Sequence, residues 1–238
     1  MTHITRKIGR KVLGIFTLIP SLFPHRVLGK LIYYTAERKA RALNPKEGLK
    51  FLFELDRNLY PLQGALAVDY DNGLHTKHRH TKYHDFFVEH IEPGERVLDI
   101  GCGNGALAYD VAEKVENVEV LGIDLSSGNI AVACEKYGRQ NINYIVGDVL
   151  EDGTLTVNHF DVVILSNVLE HLPGRSIFLS KVWAKVNPKR MLIRVPLFER
   201  DWRVPLKKEL GVEWRLDPTH ETEYTIESWA QEIEEAGL

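Results

Sequence analysis

One segment of the chain, residues 96–105, joins a short apolar run to a glycine-rich turn. The run RVLDI predicts a strand, and the GCGNG that follows it predicts a turn leading into an apolar helix. Glycines let backbone amides approach a ligand closely, and a helix start supplies N–H groups that have no partner inside the helix. Strand, glycine turn and helix together predict the opening unit of a nucleotide-binding α/β domain.

Two binding patterns compete for this segment. Gly101, Gly103 and Ala106 fit the spacing of a dinucleotide fingerprint. The run from Asp99 to Gly105 is also Asp-x-Gly-x-Gly-x-Gly, which resembles the first motif of class I methyltransferases that use S-adenosylmethionine. A dinucleotide site must hold a pyrophosphate, which a carboxylate at the strand end would repel. The family instead binds an amino acid moiety, whose ammonium suits Asp99, and we therefore favour the methyltransferase interpretation.

Three further motifs follow at the spacings of this family. Asp124 ends the second apolar run, where an acid with two acceptor oxygens can bind both hydroxyls of a ribose. Asp148 ends the third run, at the place where the family binds the adenine amine. Residues 160–172 resemble the fourth motif of the methyltransferases of ubiquinone and menaquinone synthesis. The resemblance covers Glu92 to Leu238 and rests on four motifs in order.

The resemblance implies an α/β fold with a doubly wound, Rossmann-like sheet of strand order 3-2-1-4-5 and an added N-terminal helical segment. The five parallel strands are expected at Val97–Ile100, Val118–Ile123, Tyr144–Val146, Val162–Leu165 and Met191–Val195. The family continues with an antiparallel strand pair, for which this chain has no residues left, so we expect that pair to be missing. We divide the chain into a basic amphipathic arm (1–41), a helical cap (42–91) and the cofactor-binding domain (92–238).

Helix signals flank the predicted sheet. In the cap, Asn44 and Pro45 predict a helix start, and Pro61 predicts its end near Tyr60. A polar, histidine-rich helix is expected from about Thr76 to His90. Residues 175–186 predict the helix after the fourth strand, and Thr225 caps a last helix that Gly237 ends.

The implied cofactor is S-adenosylmethionine, bound at the carboxyl ends of the strands. We expect Arg79, from a segment that lids the cofactor in this family, to pair with the methionine carboxylate; the alternative is a solvated basic face. The other expected cofactor-binding residues are Asp99, Gly101, Cys102, Gly103, Asn104, Gly105, Asp124, Leu125, Ser126, Asp148, Val149, Ser166 and Asn167. Cys102 is interpreted as a small packing residue rather than a nucleophile, because no activating base can be assigned.

Two histidines are candidates for catalysis. Methyl transfer from a sulfonium is an in-line displacement, and a general base is needed only if the acceptor must lose a proton. His171 follows the fourth strand, and His220 lies on a loop expected to cover the acceptor side. The alternatives are an orienting residue at a helix start for His171 and an ordinary surface-loop histidine for His220.

A second group of histidines lies before the first strand and is considered as a metal site. His80 and His84 are one helical turn apart and could bind a metal, but no cysteine lies nearby and the segment carries Lys77, Arg79 and Lys82. We therefore interpret this segment as a lid over the cofactor and predict no metal site.

The charge of the chain is unevenly distributed. Residues 1–41 carry nine Lys or Arg and one acid, a net charge of +8, whereas the remainder carries 21 basic and 32 acidic residues, a net charge of −11. The acidic body argues against a nucleic acid partner. In the arm, apolar residues recur at helical spacing, at Ile8, Val12, Ile15, Ile19 and Leu22.

The basic amphipathic arm predicts contact with an anionic membrane surface through residues 1–30. Packing of the arm on its own domain or on a second copy is the alternative. Two cysteines do not form a disulfide framework, so a reducing compartment is expected. The expected location is the cytoplasm, with peripheral attachment at the inner face of the membrane.

The sequence thus predicts a methyltransferase acting on a small-molecule or lipid-linked acceptor. A non-catalytic cofactor-binding or scaffold protein would have the same fold. A nicotinamide-dependent oxidoreductase is the third interpretation, although no Tyr-x-x-x-Lys pair stands at a fitting position.

Overall fold

The computed structural model describes residues 22–72, 75–155 and 159–238. The chain forms two compact units, one comprising the described residues up to Leu62 together with Glu209–Val212, and the other comprising Gln63–Lys208 with Glu213–Leu238. The second unit holds the whole sheet and all the residues from which the cofactor site is predicted.

Five parallel strands form a single sheet in this second unit. They are β1 (Arg96–Ile100), β2 (Glu119–Asp124), β3 (Ile142–Val146), β4 (Val162–Ser166) and β5 (Arg190–Arg194). Their order is β3-β2-β1-β4-β5 and each neighbouring pair is parallel, which confirms the predicted topology. The order reverses between β1 and β4, and in such sheets the crevice at the reversal is where ligands bind.

The central strands are apolar on both faces because helices cover both. On β1, Val97 packs into one apolar cluster, and the next residue, Leu98, packs into the other. β4 alternates in the same way, with Val162 and Ile164 in the first cluster and Val163 in the second. Successive side chains of a strand point to opposite faces, so an unbroken apolar run is what a doubly covered parallel strand requires.

Helices lie before, between and after the strands in the second unit. They are α3 (Lys77–Thr81), α4 (Asp85–Glu89), α5 (Ala106–Lys114), α6 (Ser127–Tyr137), α7 (Arg175–Val186), α8 (Arg203–Leu210) and α9 (Ile226–Ala236). At the start of α9, Thr225 and Ser228 exchange side-chain and backbone hydrogen bonds in a capping box, and Gly237 ends the helix with a left-handed conformation. These helix boundaries confirm the predictions for α7 and α9.

Two longer helices, α1 (His25–Arg41) and α2 (Pro45–Tyr70), come before α3 in the described part of the chain. Asn44 caps α2 through its side-chain oxygen, which accepts the Glu47 N–H at 3.0 Å. The predicted helix end at Pro61 is wrong, because α2 continues through this proline to Tyr70. Proline removes one backbone donor, but the residues after it, Leu62-Gln63-Gly64-Ala65-Leu66-Ala67, are mostly strong helix formers that continue the helix.

The histidine-rich segment is not one helix, and that prediction is wrong. Lys82 adopts a left-handed conformation with φ 48° and separates α3 from α4. The break turns His84 inward, where it is buried and its Nδ1 lies 2.6 Å from Oδ2 of Asp110 on α5. This tertiary contact fixes the turn, and no periodicity of the local sequence indicates it.

The predicted amphipathic helix of the arm falls on Ile8, Val12, Ile15 and Ile19, which lie outside the described residues. Among the described helices, none combines the length and the hydropathy that crossing a bilayer would require.

Candidate functional site

The glycine turn after β1 is held in a left-handed backbone conformation. Gly101, Gly103 and Gly105 have φ of 69°, 56° and 85°, a region that side chains other than glycine rarely adopt. The N–H groups of Gly101 and Cys102 both donate to the carbonyl of Ile123, which ties the turn to β2. Main-chain bonds therefore hold the turn against the end of β2.

The three glycines meet different surroundings. A Cβ at Gly101 would lie 2.6 Å from Cγ2 of Val168, and a Cβ at Gly105 would lie 2.7 Å from the Tyr144 hydroxyl. A Cβ at Gly103 would meet no atom within 4 Å. Two of the glycines thus make room for neighbouring protein atoms, whereas the third leaves backbone exposed to the space where a cofactor would lie.

Asp124 connects the ends of β1 and β2. Its Oδ2 accepts the Gly103 N–H at 2.9 Å, and its Oδ1 accepts the Ser126 N–H at 2.8 Å. Asn129 donates its side-chain amide to the same Oδ1 at 3.2 Å. The carboxylate is therefore oriented from both sides next to the open glycine, as an acceptor for ribose hydroxyls needs to be.

Asp99 is the buried acid of the glycine motif. It is 2% exposed, and its Oδ2 has no hydrogen-bond partner among the described residues. Burial, assisted by the negative charge of Asp124, raises the pKa of Asp99 to about 8. A buried carboxyl with an unpartnered oxygen is unfavourable unless a donor or a cation binds there. The ammonium of S-adenosylmethionine has the required charge, so the residues present fit this cofactor.

A cleft of about 170 Å³, lined in part by Asp124, opens at the carboxyl ends of the strands. Asp148 and Val149 line it after β3, and Leu125 lines it after β2 with 74% of its surface exposed. Oδ1 of Asp148 accepts the Leu150 N–H at 2.8 Å. An exposed leucine over a largely apolar cleft offers a surface for a flat aromatic ring such as adenine.

The other predicted cofactor residues have structural partners. The Asn104 side chain accepts the Ala106 N–H at 3.3 Å, and the Ser126 hydroxyl caps α6. Ser166 ends β4, and Asn167 adopts φ 59° with its Oδ1 accepting from Arg194 at 2.9 Å. The Cys102 thiol is buried, and burial raises its pKa, so it stays protonated and packs as a small residue.

Arg79 lies on the exposed side of α3, and the described contacts do not bring it to the glycine turn. Its guanidinium lies 3.8 Å from Oδ2 of Asp71, with 53% of its side chain exposed. The inner face of the segment is made instead by His84, by His78, and by Tyr83, whose ring packs against the Arg194 guanidinium at 4.4 Å. The pairing of Arg79 with the cofactor carboxylate stays a prediction.

His171 and His220, which are 49 positions apart in the chain, lie together in the structure. Their rings pack edge to face with centroids 4.7 Å apart. His171 ends a short 3₁₀ turn, Leu169–His171, that directly follows β4, and His220 lies in the loop before α9. The carbonyl of Glu170 accepts the N–H of Glu221 at 2.7 Å, which fastens that loop to the turn.

Glu170 is a site residue that sequence reasoning missed. It is 1% exposed, its Oε2 has no partner among the described residues, and burial raises its pKa to about 7. One oxygen of Glu170 and one ring nitrogen from each of His171 and His220 lie within 4.8 Å of one another. The signal available in the sequence was its position beside His171 at a strand end, but His220 completes the group only in three dimensions.

Comparison with known proteins gives the same assignment for this domain. Residues 97–189 match the family model described as "Methyltransferase domain". The chain is 32% identical over 100 residues to N-methyltransferase 4 of Papaver somniferum, and the alignment covers 40% of this chain and 28% of that protein. It is 33% identical over 114 residues to the mitochondrial ubiquinone biosynthesis O-methyltransferase of Saccharomyces cerevisiae, covering 46% and 35%.

The fold also matches solved structures. The crystal structure of the small RNA methyltransferase HEN1 superposes with a TM-score of 0.55 at 22% identity, covering 66% of this chain and 21% of that one. The chain spans between about a quarter and a half of the length of the curated relatives it matches. Sheet order, glycine motif and family match agree that the matched segment, residues 97–189, is a methyltransferase domain similar to those of the class I S-adenosylmethionine-dependent enzymes.

Proposed function

We propose that the protein transfers a methyl group from S-adenosylmethionine to a small-molecule or lipid-linked acceptor. The observation that carries this proposal is the pair of acids at the glycine turn, the buried Asp99 with an unpartnered oxygen and the oriented Asp124. S-adenosylmethionine supplies a methyl group that its sulfonium charge already activates. The protein has to hold the acceptor in line with that group and exclude water.

Each acid has its own task in the proposed site. Asp99 gives up its proton on pairing with the ammonium of the cofactor, and Asp124 accepts from the ribose hydroxyls. The cleft beside Asp148 and Leu125 takes the base. A scaffold protein that only binds the cofactor would need these same groups, so methyl transfer itself has to be measured.

The acceptor side is proposed to lie at His171 and His220. His171 ends the turn that follows β4, His220 lies in the loop bonded to that turn, and the turn between Val168 and Leu172 borders the cofactor cleft. An acceptor hydroxyl or ammonium that has to lose a proton could lose it to one of these imidazoles. Relatives methylate both nitrogen and oxygen, as their names state, so the acceptor atom remains open between them.

The first test is cofactor binding by calorimetry with S-adenosylmethionine and, separately, with NAD. Asp124→Ala should weaken S-adenosylmethionine binding by about 2–4 kcal/mol, roughly 30-fold to 1000-fold, because it removes two charge-assisted hydrogen bonds. Asp152→Ala is the matched control, since that carboxylate is fully exposed and its ion pair with Lys185 lies on the surface. Equal affinity of the Asp124 variant and the control would reject the assignment.

The second test is transfer of a labelled methyl group to lipid, quinone and sugar-phosphate extracts. Transfer of the label to a compound in any extract, and its loss in the Asp124→Ala variant, would support methyltransferase activity. Tight cofactor binding without transfer to any extract would favour the scaffold alternative.

We also propose that the N-terminal region meets an anionic membrane surface. None of the residues of α1 is buried, and its last turn carries Arg38, Lys39 and Arg41. Leu31 and Ile32 on the same helix are 49% and 51% exposed. Cations beside exposed apolar side chains are the composition of a helix that binds at a membrane interface.

A further inference from the structure

The group formed by Glu170, His171 and His220 has two properties that a surface cluster lacks. Glu170 is 1% exposed and its Oε2 has no partner within the part of the chain that the structure describes. One donor atom from each of the three residues lies within 4.8 Å of the other two. A buried carboxylate oxygen facing two imidazoles is unsatisfied as it stands and needs a cation or a donor.

The hydrogen bonds of Thr219 define the tautomer of His171. The Thr219 hydroxyl donates to Oδ1 of Asp217 at 2.7 Å, and the same oxygen lies 3.0 Å from Nδ1 of His171. Because the only hydroxyl proton goes to the aspartate, Nδ1 of His171 must be the donor in the second bond. The lone pair of neutral His171 is therefore on Nε2, free to bind a ligand.

His220 is oriented in the same way by a carboxylate. Its Nδ1 lies 3.2 Å from Oε1 of Glu223, whose side chain is completely buried. The carboxylate accepts from Nδ1–H, so Nε2 again carries the lone pair. Glu223 is itself held by an ion pair with Arg200 and by the Leu216 N–H. A histidine whose second nitrogen donates to a fixed carboxylate is the arrangement that orients histidines bound to metal ions.

We propose that Glu170, His171 and His220 bind a divalent transition metal ion through one carboxylate oxygen and two Nε2 atoms. Two imidazoles and a carboxylate suit Zn²⁺, Co²⁺ or Mn²⁺ better than Mg²⁺ or Ca²⁺, which prefer oxygen ligands throughout. Ligand atoms around a tetrahedral ion lie about 3.3 Å apart, so the present separations of up to 4.8 Å would have to shorten when the ion binds. The sequence analysis predicted no metal site, and the histidines it considered, His80 and His84, are not the ones that converge.

Three protein ligands leave at least one position of the ion for another atom. Val168 and Leu172, on either side of the turn, both line the cofactor cleft, so that position borders the place where the methyl group is delivered. This position favours an acceptor that binds the metal through a hydroxyl oxygen. The metal would then promote loss of the hydroxyl proton, the step otherwise proposed for the imidazoles. This statement about the acceptor rests on the proposed methyl transfer, whereas the statement that a metal binds does not.

The test is metal binding to the full chain after treatment with a chelator, in the absence of S-adenosylmethionine. We expect one equivalent of Co²⁺ to bind with visible absorption bands, and Zn²⁺ to displace it. Zn²⁺ should also raise the melting temperature, because an ion bound only by the folded state stabilises it. His171→Ala should reduce affinity by more than the roughly 10–100-fold that loss of an orienting partner costs.

The choice of variants keeps the result interpretable. His171 is exposed, so its replacement should leave the fold intact, as circular dichroism can verify, whereas Glu170→Gln tests the buried ligand. His159→Ala and His80→Ala are controls, because both side chains are exposed and neither belongs to the cluster. Wild-type affinity in the His171 variant, or loss of binding only in the His80 variant, would overturn the proposal, as would absence of Co²⁺ binding to the wild type.

S-adenosylmethionine binding to the same His171 variant separates this inference from the proposed function. The cofactor groups lie at the glycine turn, so affinity for S-adenosylmethionine should be unchanged. If the cofactor binds and no metal does, the metal inference alone fails. If the metal binds and the cofactor does not, the proposed function fails and the metal site stands.

Discussion

Asp99→Asn is expected to reverse its effect on stability between acid and alkaline pH. Burial raises the pKa of Asp99 to about 8 in the folded protein, from an ordinary value of 3.8. The folded state therefore holds this proton more tightly than the unfolded state. Stability that depends on the protonated carboxyl is complete below the unfolded pKa and is lost as pH rises from about 4 to about 8.

The size of the loss follows from the shift. Each unit of pKa difference corresponds to about 1.4 kcal/mol, so the penalty grows by that amount per pH unit and levels off at about 5–6 kcal/mol above pH 8. Asparagine carries no charge at any pH and avoids this penalty, but its buried amide lacks partners and costs about 1–3 kcal/mol. The variant should therefore be less stable than the wild type near pH 4 and more stable near pH 9.

Urea unfolding at a series of pH values measures the effect. The difference in unfolding free energy between variant and wild type should change steadily across this range and pass through zero within it. A constant offset of the variant would move the pH at which this difference is zero but not its change with pH, and that change carries the prediction. A pH-independent difference would refute the argument that Asp99 is a strained, buried acid. In the proposed site the same variant should bind S-adenosylmethionine more weakly, because it has lost the charge that attracts the ammonium.

Three further predictions concern other parts of the chain. Gly105→Ala should destabilise the fold by several kcal/mol, because its Cβ would meet Tyr144 at 2.7 Å and Ala133 at 2.8 Å. Gly103→Ala should cost only the roughly 1–2 kcal/mol of an alanine in the left-handed conformation, yet it should weaken cofactor binding. Equal melting temperatures of the two variants would contradict this. Glu95→Gln, which removes the charge and one of the two acceptors that bind the Arg190 guanidinium at 2.9 and 2.6 Å, should cost about 2–3 kcal/mol in denaturant unfolding. Glu119→Gln, in an exposed pair with Arg96, should cost under about 1 kcal/mol. Deletion of residues 1–30 should abolish binding to anionic vesicles and leave cofactor affinity unchanged. In the full chain, salt should weaken vesicle binding, because it screens cations that contribute about 1 kcal/mol each. A drop in melting temperature on that deletion, with no vesicle binding in the full chain, would instead indicate an arm packed on its own domain.

The parts of the fold that the sequence predicted are those fixed by local pattern. Strand β4 is an apolar run because both of its faces are covered, and α9 has a capping threonine and a terminal glycine, so each leaves a signal within its own residues. The continuation of α2 through Pro61 was not predictable from the proline, because propensity in the following residues outweighs one lost hydrogen bond. The break at Lys82 depends on the contact of His84 with Asp110, which lies 26 residues away.

The site shows the same division. The glycine turn and the acids Asp99 and Asp124 follow a spacing that can be read along the chain. Glu170 could not be assigned in this way, because its significance comes from His220, which lies 50 positions later and reaches it through a loop. Nothing local marks a glutamate whose oxygen is left without a partner; burial in the folded protein creates that property.

The loop that carries His220 is attached to the turn after β4 by main-chain groups. The carbonyl of Glu170 accepts the N–H groups of both Glu221 and Thr222, at 2.7 and 3.3 Å. Bonds of this kind do not depend on which side chains stand at the bonded positions. If the acceptor binds here as proposed, substitutions at this edge would change the groups that face it without releasing the loop from its anchor. Main-chain bonds set the position of the loop, whereas the selectivity of the proposed site would come from side chains that can be replaced one at a time.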